Sequence, residues 1–165
     1  MIKFVLMVLL FGASGYLGFQ SAKVYQNKNN FFADLLSFTK SLKNEISFLK
    51  TDIFGILKKY EYKSMFNDFL IEYQKILNNK NISQSDIIEI LDQNISLTEI
   101  QKNTISQMFF ELGNIGYLEQ IERLEYYTNF YNQEFEKSRD KSNKMEPFCK
   151  KMGFMMGSLL CIVLI

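Results

Sequence analysis

The chain has 165 residues, 47% of them hydrophobic, with 19 Lys and Arg against 18 Asp and Glu. That apolar content excludes a disordered chain, and a net charge of +1 offers no basic surplus for nucleic acid. The absence of His removes His-ligated metals and Ser-His or Cys-His nucleophiles, while Cys149 and Cys161 lie too far apart along one helix to bridge.

Lys3 is the only charged residue outside residues 23–151. The uncharged run 4–22 holds 19 residues, which as a helix would measure ~28 Å, close to the ~30 Å hydrocarbon core of a bilayer. It is expected to form an N-terminal transmembrane helix. The competing expectation is a cleaved signal peptide ending near Gly12-Ala13-Ser14. Apolar residues continue beyond that point at Tyr16, Leu17 and Phe19, which favours a retained anchor.

From Asn29 to about Lys50, Phe31, Phe32, Leu35, Phe38, Leu42, Ile46 and Leu49 recur at steps of three and four, predicting a helix with one buried face. Ile56–Leu77 repeats the pattern through Leu57, Tyr60, Phe66, Phe69, Leu70, Tyr73, Ile76 and Leu77. A polar break at residues 78–81 follows, then a short helix capped by Ser83 or Ser85 and carrying Ile87, Ile88, Ile90 and Leu91. Ser96-Leu97-Thr98-Glu99 fits a capping box that opens a helix through Ile100, Ile105, Met108, Phe109 and Leu112, ended by Gly113. Gly116 to about Glu146 predicts a long helix with Leu118, Ile121, Leu124, Thr128, Tyr131 and Phe135 on one face, punctuated by Pro147.

Residues 152–165 are again uncharged and lack a polar face, so a short C-terminal transmembrane helix is expected there, entered past Lys150 and Lys151. Gly153 and Gly157 form a GxxxG pair, and Gly12, Gly15 and Gly18 stud the first segment; such residues let helix backbones approach in lipid. Nine Lys and Arg sit just inside the two segments, against Lys3 and the amino terminus outside them. That bias places the central domain, residues 23–151, in the cytoplasm. The fold class is all-α: a bundle of about five helices flanked by two membrane helices, with the first and last bundle helices side by side.

No Gly-rich phosphate loop appears, so the chain is no nucleotide hydrolase, and no catalytic constellation, cofactor motif or metal set stands out. Glu119, Glu122 and Glu125, interleaved with Arg123, read as a solvated helix face rather than a metal site. Tyr126, Tyr127, Phe130 and Tyr131 read as core and boundary aromatics. A non-enzymatic role is expected.

Several segments, in order, resemble the stage III sporulation protein AB family of endospore-forming bacteria. They are Gly18-Phe19-Gln20-Ser21-Ala22-Lys23 at the exit from the first segment, and Leu42 followed by Glu45-Ile46 and Phe48. Leu112-Gly113 followed by Gln120, and the glycine-containing tail from Lys151 to Leu160, complete the set. Asp52-Ile53 stands where the family usually has Pro-Leu, and Gly116 where it has Asp.

The resemblance implies a membrane scaffold of the channel joining mother cell and forespore, related to the inner-membrane platforms of type II secretion and type IV pilus machines. It also implies a companion cytoplasmic ATPase, the stage III sporulation protein AA, as partner, other channel components beside it, and no cofactor. Glu45, Phe48, Leu112, Gly113 and Gln120 become partner-contact candidates, with either a polar contact between Glu45 and Gln120 or a shared partner surface expected of that pair. The alternatives are a platform subunit of an ordinary secretion or pilus system and a secreted helical binding protein.

Overall fold

The computed structural model describes residues 2–49, 62, 64–77, 82–112 and 114–164. Five helices and no strand occur among them: α1 (Ile2–Leu49), α2 (Met65–Leu77), α3 (Gln84–Asn94), α4 (Glu99–Glu111) and α5 (Tyr117–Leu164). The expected helix from Ile56 begins, within the described residues, only at Met65; residues 56–61, the polar break at 78–81 and the stop at Gly113 lie outside them.

Two expected boundaries are absent. The first apolar segment and the first bundle helix are one continuous 48-residue helix, because residues 23–28 contain no Gly or Pro to interrupt it. At the other end Pro147 lies inside α5, which continues to Leu164. A proline there removes one backbone hydrogen bond and crowds the preceding turn, yet packed residues on both sides of it hold the helix.

The chain divides into two compact units, residues 1–29 with 136–165 and residues 30–135. The second is the bundle. Its core takes Phe31, Phe32, Leu35, Phe38, Leu42 and Ile46 from α1, all buried as the three-and-four spacing predicts. Phe38 lies at the centre, stacked on Phe109 at 5.8 Å between ring centroids and tilted against Phe66 at 5.5 Å. Phe109 in turn meets Phe69 and Tyr73 edge-on, each at 4.9 Å. Aromatic pairs of this kind add ~0.5–1.5 kcal/mol each beyond area burial. The Tyr73 hydroxyl donates to the Phe109 carbonyl at 2.8 Å, so the buried phenol is satisfied.

Helix starts follow local chemistry. Ser83 caps α3: its Oγ accepts from Asp86 N while Asp86 Oδ2 accepts from Ser83 N. The cap of α4 is Thr98 rather than Ser96, with Gln101 rather than Glu99 as its reciprocal partner. The preference has a tertiary cause, because the Gln101 amide also donates to Glu134 on α5. Two expected core positions face outward instead: Ile100 and Leu118, the latter 76% exposed. The buried face of α5 runs through Gln120, Leu124, Tyr127 and Tyr131.

Among the described residues no helix is long and apolar enough to cross a membrane. The segments 4–22 and 152–164 lie within α1 and α5, and the membrane crossing expected of 4–22 and 152–165 is not shown by the fold. Side chains are described only from Met7; from there 16 uncharged residues precede Lys23, with Gln20 and Ser21 among them. At the other end Lys150 and Lys151 cap a 14-residue apolar run.

Candidate functional site

The first unit is an antiparallel pair made by the start of α1 and the end of α5. Small residues close its seam. Gly18 and Gly153 oppose each other: a Cβ on Gly18 would lie 2.7 Å from the Cys149 carbonyl oxygen and 2.8 Å from Gly153 Cα. A Cβ on Gly153 would meet Gly18 Cα and the Ser14 carbonyl oxygen, both at 2.9 Å. Gly157 abuts the Phe11 ring in the same way. Neither backbone contact leaves room for any side chain.

The Ser14 hydroxyl donates to the Gly153 carbonyl at 2.6 Å, and the Cys161 thiol reaches the Met7 carbonyl at 3.6 Å. Polar groups of the seam are thus satisfied across the pair rather than left to solvent. Gly12, counted with Gly15 and Gly18 in the sequence pattern, has nothing within 4 Å of its would-be Cβ, and Gly15 only the Phe154 ring edge at 3.8 Å. Ser14 and the buried Ala22 lie four residues to either side of Gly18, a small-residue spacing that the glycine pattern alone does not capture.

Around this seam many outward side chains are large and apolar: Leu17 is 65% exposed, Met155 66% and Val163 75%. Toward the charged end of the same unit, two ammonium groups lie over the Phe19 ring, Lys23 Nζ at 5.1 Å and Lys150 Nζ at 5.5 Å from its centroid. Lys141 sits over Tyr25 at 5.7 Å. The unit carries nine Lys and Arg against three Asp and Glu, whereas the bundle carries ten against fifteen. The near-neutral chain is therefore two oppositely charged halves, +6 and −5.

The remaining candidates lie in the bundle. Glu45 on α1 and Gln120 on α5 are 8% and 7% exposed. Their helices are tied on either side of them, by the Lys43–Glu125 ion pair at 3.2 Å and by the Tyr117 hydroxyl donating to the Ser47 carbonyl at 3.1 Å. Gln120 Nε2 is buried and has no acceptor among the described residues, so it does not donate to Glu45. A buried amide donor without a partner is rare and costs ~1–3 kcal/mol. Leu112 closes α4, its N–H donating to Met108 O at 3.2 Å, while Gly113 and the Phe48 side chain lie outside the described residues.

Further along α5 the Tyr127 hydroxyl donates to Glu111 at 2.8 Å, and Arg123 pairs with Glu111 and Glu119. Burial of the phenols drives the Tyr73, Tyr127 and Tyr131 hydroxyls well above their usual range, the Glu111 carboxylate reinforcing the shift at Tyr127. No group of three or more acidic or Cys side chains is placed to hold a metal among the described residues.

The sequence matches the family model for stage III sporulation protein AB over residues 3–165. No curated protein and no solved structure matches it. A family match extending over both the glycine-packed pair and the bundle covers essentially the whole chain, and the protein belongs to the stage III sporulation protein AB family, a family of sporulation proteins.

Proposed function

We propose that this protein is a non-catalytic membrane scaffold of the channel apparatus between mother cell and forespore. The glycine-packed pair sits in the mother-cell membrane facing the forespore, and the bundle stands in the cytoplasm, where it docks the sporulation ATPase and other channel components. The observation that carries the proposal is the inverted polarity of the first unit. Gly18, Gly153 and Gly157 face inward, and large apolar side chains such as Leu17, Met155 and Val163 face outward. In water that arrangement leaves a large contiguous apolar surface uncovered. In lipid it is the favoured arrangement, since small residues allow close helix contact and apolar ones meet acyl chains.

Lys and Arg immediately inside both apolar segments support the cytoplasmic assignment.

The test is topology. In a chain with Cys149→Ser and Cys161→Ser, a single cysteine at Gln93, exposed at the end of α3, reports which side of the membrane the bundle occupies. Protection from a membrane-impermeant maleimide in intact cells, with labelling after lysis, is the expected result, followed by co-purification of the ATPase. Labelling of intact cells would place the bundle outside and remove the ATPase from consideration.

A further inference from the structure

The two cations over Phe19 lie where the character of the first unit changes. One turn toward the apolar end, Tyr16 and Phe154 are exposed, and Phe154 packs on Phe11 at 5.9 Å between ring centroids. In the other direction come Lys23, Lys141 and Lys144. Lys150 binds Glu146 at 2.7 Å as well as facing the ring, whereas Lys23 forms no ion pair among the described residues. A cation over an aromatic face keeps its remaining N–H donors free for an anion. Two such cations lie over one ring, beside an apolar surface that needs cover.

We propose that Phe19, Lys23 and Lys150 form a binding site for the phosphate headgroup of an anionic phospholipid, whose acyl chains lie along Tyr16, Phe154 and Met155. The site deepens the membrane reading above and rests on it. A protein or nucleic-acid ligand would use the charge but leave the adjoining apolar side chains uncovered; a lipid covers both. The excess of nine basic over three acidic residues in this unit supplies the surrounding field, as basic clusters beside membrane segments do for anionic leaflets. Lys141 over Tyr25 extends the same aromatic–ammonium pattern farther from the apolar end.

The test uses the full chain in nanodiscs made from equal parts of phosphatidylcholine and phosphatidylglycerol. The protein is then extracted in mild detergent, and the lipid still bound to it is quantified by mass spectrometry. Wild type is expected to retain phosphatidylglycerol in preference. Because each lysine near an anionic surface contributes roughly a fivefold factor, K23Q/K150Q is expected to lose that preference by roughly 30-fold. K23R/K150R keeps it, and K75Q, on the bundle, leaves it unchanged.

Equal retention by wild type and K23Q/K150Q overturns the site while leaving membrane insertion intact. Displacement of the lipid by inorganic phosphate would reveal a soluble-anion site instead, and also overturns it. Failure of the wild type to enter nanodiscs at all is the distinct result that removes the membrane reading, and the lipid site with it.

Discussion

The two units of this protein solve helix packing in opposite ways. The bundle brings its helices together over large rings, Phe38, Phe66, Phe69 and Phe109, and turns most of its described charges outward. The other unit brings two helices together over Gly18 and Gly153, with backbone on backbone, and turns its large apolar side chains outward. In the first case exclusion of water drives assembly, so burying the largest side chains gains most. In the second, close approach gains dispersion and satisfies the Ser14 hydroxyl, a strategy suited to a solvent that rewards no apolar burial.

The comparison sharpens most where the two strategies respond differently to one kind of change. Phe38→Ala or Phe109→Ala in the bundle should cost ~3–5 kcal/mol, since each leaves a ring-sized cavity among other rings. Urea unfolding of the bundle, followed by far-UV circular dichroism, should show a lower midpoint with unchanged slope. The glycine seam should respond to enlargement instead. Gly18→Leu forces a side chain against Cys149 O and Gly153 Cα and should cost at least ~1–3 kcal/mol of pairing. Gly12→Leu, with nothing within 4 Å, is the matched control. Amide hydrogen exchange in lipid nanodiscs should show lost protection around residues 14–18 and 149–157 in the first variant and none in the second. Equal exchange in the two would mean that the glycine contact does not hold the pair together.

Alkaline pH offers a smaller but directional test on the bundle. Tyr73, Tyr127 and Tyr131 have hydroxyl pKa values raised in the folded state by burial. The unfolded chain therefore releases protons first, near the ordinary tyrosine value of about 10, and stability present below that pH is lost as pH rises through the folded values. The midpoint of unfolding should fall steeply above about pH 10, with Tyr73→Phe shallower than wild type. A flat profile would mean that these phenols ionise without unfolding. The smallest expected effect is at Gln120. Replacing its unpartnered amide by Leu should leave stability unchanged or raise it by ~1 kcal/mol. If ATPase co-purification is lost while stability holds, the residue serves a partner; if stability drops, it serves the fold.

The all-helical class and most core positions were legible because their periodicity is local: the run from Phe31 to Ile46 needs no partner to be read as one face. Other features depended on the tertiary structure. Ser96 and Thr98 each head an acceptable capping box, and the contact from Gln101 to Glu134 favours Thr98. Leu118 fits an apolar stripe on α5, but burial follows Gln120, Leu124 and Tyr127, whose common face meets the bundle. Pro147 resembles a stop, yet α5 continues through it to packing partners on α1 that no local rule supplies. The glycines were visible as a pattern, but which of them touch depends on the antiparallel register: Gly18 meets Gly153, while Gly12 meets nothing. Summed over the whole chain, the charges conceal the opposite signs of the two units.

The central claim is that the apolar outside of the first unit belongs in lipid. It is tested most directly by fractionating cells that express the full chain, washing the membranes with high salt and then urea, and floating them on a density gradient. The protein should remain with the floating membranes after both washes and leave them only in detergent. Release by salt would mean attachment through charge alone, and recovery of folded, monodisperse protein in the aqueous supernatant would contradict the claim outright.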